Sequence, residues 1–333
     1  MDDLRNRLLE KLEEDQLRDP QGISPPASRD LCGHPLGSPA MWVVPRNTAD
    51  VQHVVRAARL AGVSVVPVGK RTAYWRPLEY TGAVVLEMSG LNGLGHAHGS
   101  AEPIWVGAGV EVRDLDEHLR RAGRRLACHP DAFGDTSIGA MVSTGFAAGC
   151  GLGTTGLDGL VAGLVVVLGT GEVLRTGAAN ALGHAPFTRA GLPDPTGLFY
   201  GSDGALGIVT EVAVRPWAVT PSVQVSAELP SDLISTLGVV ELARSLREPG
   251  SYETLRCVAV AEPGGGESQR LDVVVRDSEA GGVLGSRVQA VRDAIRSCLS
   301  GVHLEETEDG GGDAGGFPRW RGERGEAWEM LKG

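Results

Sequence analysis

Several common patterns are missing from this chain of 333 residues. The five cysteines, Cys32, Cys128, Cys150, Cys257 and Cys298, lie far apart with no CxxC pair. That spacing excludes a zinc ribbon and a disulfide scaffold, so no metal site is expected and free thiols in a reducing compartment are the plain reading. Long apolar runs are also missing. The longest, Val161–Leu168, falls far short of a membrane span. The opening stretch MDDLRNRLLEKLEEDQLRD is charged throughout and has no signal-peptide core. A cytoplasmic protein that does not touch membranes is expected. Basic residues number 31 against 42 acidic ones, for a net charge of −11, which argues against a nucleic-acid partner. No repeat of 20–50 residues is apparent.

The chain does have glycine, 48 residues of it, and with it the promise of many turns and close backbone approaches. Apolar residues make up 42% and charged residues 22%, as in an ordinary globular protein, and the length suits about two domains. Leu4, Leu8, Leu9, Leu12 and Leu17 predict an amphipathic N-terminal helix, followed by a Pro- and Gly-containing connector to Pro39. Residues 40–69 read β-α-β. Thr48 is the expected N-cap, Val51, Val54, Val55, Ala58 and Ala61 form one helical face, and Gly62 is the C-cap. Strands are expected over 83–88, 104–110, 161–168, 172–176 and 208–214, and a helix at Val112, Leu115, Leu119 and Ala122. A second, smaller α+β unit is expected after Trp217, with strands over 223–229, 255–261 and 271–275 and helices over 232–246 and 283–299. Residues 305–316, acidic and rich in glycine, read as a flexible tail.

Gly151, Gly153 and Gly156 spell GxGxxG. A dinucleotide fingerprint of that type must follow a strand and open a helix. Here it follows a small-residue helical stretch and leads toward a strand, so a nicotinamide cofactor is rejected. His96 and His98 have no third ligand nearby in sequence and read as loop histidines.

Three other segments carry more. The loop Val68-Gly69-Lys70-Arg71-Thr72-Ala73-Tyr74-Trp75 directly follows a strand, where successive N–H groups can face a diphosphate. The second segment runs HPDAFGDTSIGAMVSTGFAAGCGLGTTGLDGLVAGLVVVLGTGEVLRTG. The third, TGLFYGSDGALGIVTEVAVRP, joins a glycine turn to a β-run. Together they resemble the flavin domain shared by vanillyl-alcohol oxidase and p-cresol methylhydroxylase, the PCMH-type FAD-linked oxidases, over about residues 40–217. Gly69, Lys70 and Tyr74 match that family's first loop, whereas Arg71, Ala73 and Trp75 depart from it, and Gly139-Ala140 stands where Gly-Gly is frequent.

The resemblance implies an α+β fold: a PCMH-type FAD-binding domain of two α+β subdomains over 40–217, after an N-terminal helix and linker over 1–39. A smaller, incomplete cap domain follows over 218–304, then a tail over 305–333. It implies FAD, held noncovalently because no attaching His or Tyr position is identifiable. The implied cofactor contacts are Val68, Gly69, Lys70, Arg71, Thr72, Ala73, Pro130, Asp131, Thr136, Ser137, Gly139, Ala140, Ser143, Gly149, Gly156, Asp158, Gly207, Ile208 and Val209. Tyr74, as a phenolate-binding group, and Asp131, as an acid near the flavin, are the implied catalytic residues. The implied activity is hydride removal from a phenolic or alcohol substrate to flavin N5. A homodimer is the expected assembly only because dimers are the commonest one. Two alternatives stay open: an FAD-dependent 2-hydroxy-acid dehydrogenase, and a shortened flavin-fold protein without redox activity.

Overall fold

The computed structural model describes residues 2–18, 37–70, 80–96, 102–126, 136–145, 156–177, 194–229, 238–239, 241–242, 254–261, 267–277, 282–299 and 303–309. The chain divides into two compact units, Met1–Ala148 with Thr155–Ala218, and Gly149–Thr154 with Val219–Gly333.

The first unit begins with helix α1 (Asp2–Leu9), which buries Leu4 and Leu8. Its last carbonyls face His53, whose Nε2 lies 2.7 Å from Arg7 O. Strands β1 (Leu17–Arg18), β2 (Met41–Val43), β3 (Val65–Val68) and β4 (Val84–Glu87) form a sheet in the order β1-β2-β4-β3. β2, β4 and β3 run parallel. Parallel neighbours need a crossover, and helix α2 (Thr48–Ala61) supplies it between β2 and β3. Its buried face is Val51, Val54, Val55, Ala57 and Ala58, with Ala61 exposed. Gly62 closes α2 in the left-handed region at φ 68°, as expected for a glycine C-cap. The N-cap differs from expectation. Asn47 fills it, accepting the Asp50 N–H at 2.9 Å, while Thr48 turns its hydroxyl toward Thr210 and Glu211, 3.0 Å from each. Trp42, Val68, Tyr80 and Val85 form a core cluster here, with Trp42 and Tyr80 edge to face at 6.0 Å.

The second sheet of this unit uses β5 (Ile104–Gly107), β7 (Val161–Val167), β8 (Val173–Arg175) and β9 (Ile208–Val214), in the antiparallel order β5-β9-β7-β8. Every residue of β7 is buried, so both of its faces are covered, and α2 touches β7 and β9. Between these strands lie α3 (Val112–Arg121), β6 (Arg124–Arg125), α4 (Ile138–Thr144) and α5 (Leu157–Leu160), and β10 (Trp217–Ala218) pairs with β6.

Asp116 on α3 is nearly inaccessible, yet its charge is well used. Its carboxylate accepts the Leu126 N–H at 2.8 Å and Arg120 Nε at 2.6 Å. An Asp116→Ala change strands a buried N–H and a guanidinium, and is expected to cost about 1–3 kcal/mol. Chemical denaturation should show this as a lower midpoint with an unchanged slope.

The second unit is an antiparallel sheet in the order β12-β13-β11-β14, formed by β11 (Ser222–Leu229), β12 (Thr254–Ala261), β13 (Glu267–Arg276) and β14 (Leu304–Asp309). Helix α6 (Leu284–Cys298) covers one face. Val225, Ala227, Leu229, Leu271, Val273 and Val275 meet Val288, Val291, Ile295 and Leu299 in its core. The alternation puts Ser226 and the fully buried Asp272 on the other face, joined by a 2.7 Å hydrogen bond. The expected flexible tail starts at Glu305, but Leu304–Asp309 is a strand. Pairing with β11 supplies backbone hydrogen bonds, Leu304 joins the core, and Glu306 meets Arg292 at 2.7 Å. An acidic composition does not reveal such a pairing.

Candidate functional site

Three of the segments singled out by sequence converge in the first unit. β3 ends at Val68 and turns at Gly69 and Lys70. Gly69 faces the start of α4: a Cβ there would lie 2.8 Å from Ser137 Oγ and 3.2 Å from Ala140 Cβ. The other end of α4 meets the glycine turn before β9. Ser143 O accepts the Asp203 N–H at 2.8 Å and Val142 O accepts the Gly201 N–H at 3.2 Å. Gly145, at φ 71°, lies against the Gly201 backbone, and Gly204, at φ 79°, lies against Pro67 of β3. β3, α4 and the 200–207 turn therefore close a ring of contacts. Lys70 stands at its rim, at the carboxyl end of a parallel strand, the usual place for a ligand site in α/β sheets.

At Gly69, Gly139 and Gly207, three of the expected cofactor contacts, the missing side chain makes room for protein. A Cβ at Gly139 would come within 2.6 Å of Ala108 Cβ, and one at Gly207 within 2.6 Å of Val166 Cγ1. Gly156 is different, with open space around it and φ 65°. It precedes α5, where Asp158 is exposed. Ile208 and Val209 are buried strand residues paired with Val167 and Val166.

The first turn of α4 is already engaged. Ile138 N donates to Val110 O and Gly139 N to Ala108 O, each at 2.9 Å, and Ala140 N donates to Ser137 Oγ at 3.3 Å. Thr136 O accepts the Val112 N–H at 3.0 Å. Thr136, Ser137, Gly139 and Ala140 thus build the scaffold, and diphosphate donors have to come from neighbouring backbone. Arg71, Thr72, Ala73, Tyr74, Pro130, Asp131 and Gly149 lie outside the described residues, as does Trp75.

Sequence reasoning missed Glu111. It pairs with Ser137 in an isolated antiparallel bridge, and its carboxylate forms an ion pair with Lys70. A lone Glu after Gly-Val carries no local signal, because its partners are 41 residues before it and 26 after it. Among the described residues, those left to face a dinucleotide are the turn at Gly69 and the Lys70 cation, with the 201–204 turn engaged by α4. Among the described residues, no helix is long and apolar enough to cross a membrane.

Comparison with known proteins agrees with this geometry. Residues 39–177 match the FAD binding domain family. The chain is 26% identical to the probable mitochondrial D-2-hydroxyglutarate dehydrogenase of Oryza sativa subsp. indica over 219 residues, which is 66% of this chain and 38% of the relative. It is 28% identical to the mitochondrial D-lactate dehydrogenase [cytochrome] of Arabidopsis thaliana over 178 residues, 53% of this chain and 30% of the relative. The chain therefore spans well under half the length of these curated relatives. Crystalline p-cresol methylhydroxylase with substrate bound superposes with a TM-score of 0.76 at 15% identity, covering 92% of this chain and 65% of that one. That likeness shows the fold. The expected α+β architecture of the first unit is borne out, and residues 39–177 are similar to the FAD binding domain family.

Proposed function

We propose that this chain belongs to an FAD-dependent oxidoreductase that oxidises the alcohol carbon of a 2-hydroxy acid to a ketone. The observation that carries the flavin reading is the closure of β3 and α4, both within the residues 39–177 that match the FAD binding domain family, against the 200–207 turn that follows that region. The substrate class is supported by the curated relatives, whose names specify D-2-hydroxyglutarate and D-lactate. The phenolic or alcohol substrate put first by resemblance gives way on that ground. Its phenolate partner, Tyr74, lies outside the described residues.

FAD, when bound, supplies the hydride acceptor, and the protein's part is binding, orientation and charge. Residues 68–74 would hold its diphosphate region, braced through α4 against the turn at 201–204, with Lys70 contributing positive charge at the rim. The scaffold of Thr136, Ser137, Gly139, Ala140 and Ser143 would fix the spacing of those turns. Asp131 is the candidate to receive the hydroxyl proton as the carbon–hydrogen bond breaks. The flavin is held without a covalent bond.

The purified chain, titrated with FAD, is expected to retain the flavin through gel filtration and release it into the supernatant on acid precipitation. Anaerobic D-2-hydroxyglutarate or D-lactate should then bleach the visible flavin band, while a 4-alkylphenol should not. Bleaching by the phenol alone would reverse the substrate assignment. A chain that stays colourless after soaking with FAD would overturn the flavin reading itself.

A further inference from the structure

We propose that Glu111 is a positioning residue for the dinucleotide site, fixing the distance between the loop after β3 and the start of α4. This rests on the FAD reading above. Glu111 is the N-cap of α3, a position where a polar side chain usually accepts a hydrogen bond from the helix's own first N–H groups. Its carboxylate makes no such bond. It reaches Lys70 instead, with 26% of the Glu111 side chain and 40% of the Lys70 side chain accessible. The Glu111 backbone is meanwhile bridged to Ser137, and the flanking Val110 and Val112 are hydrogen-bonded to Ile138 and Thr136.

One residue therefore grips both segments, the α4 side through its main chain and the β3 side through its side chain. The backbone grip is fixed by hydrogen bonds on either side. The side-chain grip is the adjustable part. It meets the loop at Lys70, next to Gly69, which already rests on Ser137. Lys70 directly follows β3, and the ion pair holds its ammonium next to the residue that is bridged to Ser137. The ion pair acts through geometry: Glu111 directs the Lys70 ammonium. A partly exposed pair of this kind contributes little to global stability, and its effect falls on the placement of that charge.

The test is an FAD titration of the full chain, followed by flavin fluorescence, beside thermal melting without FAD. Glu111→Gln keeps the size of the side chain and removes its charge. It is expected to weaken FAD binding about five-fold at low salt, with the gap narrowing at high salt as screening weakens the wild-type pair. The melting temperature without FAD should be unchanged. Glu111→Asp, which keeps the charge that holds Lys70, should bring affinity back toward wild type. Wild-type affinity in Glu111→Gln would overturn the proposal, as would a Glu111→Asp variant no better than Glu111→Gln, because the Lys70 charge would then act on the cofactor by itself. A melting temperature that falls in step with affinity would overturn it in favour of a general folding role. If the wild-type chain binds no FAD, the flavin reading fails first. If it binds and Glu111→Gln binds equally, only the role of Glu111 fails.

Discussion

A Gly109→Ala variant is expected to lose about 3 kcal/mol of stability or more, or to give no soluble protein. The added methyl would sit 1.9 Å from Met88 O and 2.9 Å from Met88 C. Neither side can retreat cheaply. Gly109 N donates to Leu91 O at 2.9 Å, Gly107 N donates to Gly93 O at 2.8 Å, and a Cβ at Gly107 would itself meet Leu91 O at 2.1 Å. Leu91 and Met88 are buried, so the 88–95 strip has core behind it. Gly93→Ala is the control, since a Cβ there finds nothing within 4 Å. Urea denaturation followed by far-ultraviolet dichroism checks the pair. An unshifted midpoint for Gly109→Ala would mean that the two strips do not press together as described.

The second large effect is expected at Gly69, on cofactor binding more than on folding. Valine there would drive a branched side chain into Ser137 Oγ and Ala140 Cβ, at 2.8 and 3.2 Å from the first added atom. Relief requires Ser137 to rotate away and give up its N-cap bond to Ala140 N, a loss of about 1 kcal/mol. Otherwise the loop lifts off α4. Because Lys70 follows immediately, lifting the loop displaces the cation at the rim. FAD affinity is expected to fall about ten-fold, equivalent to about 1.4 kcal/mol. Equilibrium dialysis measures it, and Gly69→Ala should fall between wild type and valine. Equal affinity for all three would show that the β3–α4 contact does not govern the site.

Much of the fold was legible because its signals are local. The apolar stripe of α2, the left-handed Gly62 and the continuous apolar run of β7 each announce themselves within a few residues. The three segments that meet were likewise found from their order and glycine content. What they do on meeting was not legible. Whether the missing side chain at Gly69, Gly139 or Gly207 makes room for cofactor or for protein depends on atoms far away in sequence, and the structure assigns that room to Ser137, Ala108 and Val166. The choice between Asn47 and Thr48 as N-cap turned on Thr210 and Glu211, more than 160 residues distant. Acidic β14 became a strand only through its register with β11. Glu111 was invisible for the same reason: both of its partners are long-range.

Where β8 ends and the turn before β9 begins, Thr196 Oγ1 lies 2.6 Å from Thr176 Oγ1, and Gly177 N donates to Asp194 Oδ1 at 3.2 Å. Thr176 and Thr196 are fully buried, and Thr176 Oγ1 also accepts the Leu164 N–H at 2.8 Å. The two ends of the intervening stretch, 178–193, are thus stapled together at their base, independently of what lies between them. Closure entropy grows only slowly with length, so a lineage is free to lengthen, trim or replace that stretch while β7 and β9 keep their register. Evolution can rewrite this part of the molecule at small thermodynamic cost, which makes it the natural place for related proteins to diverge.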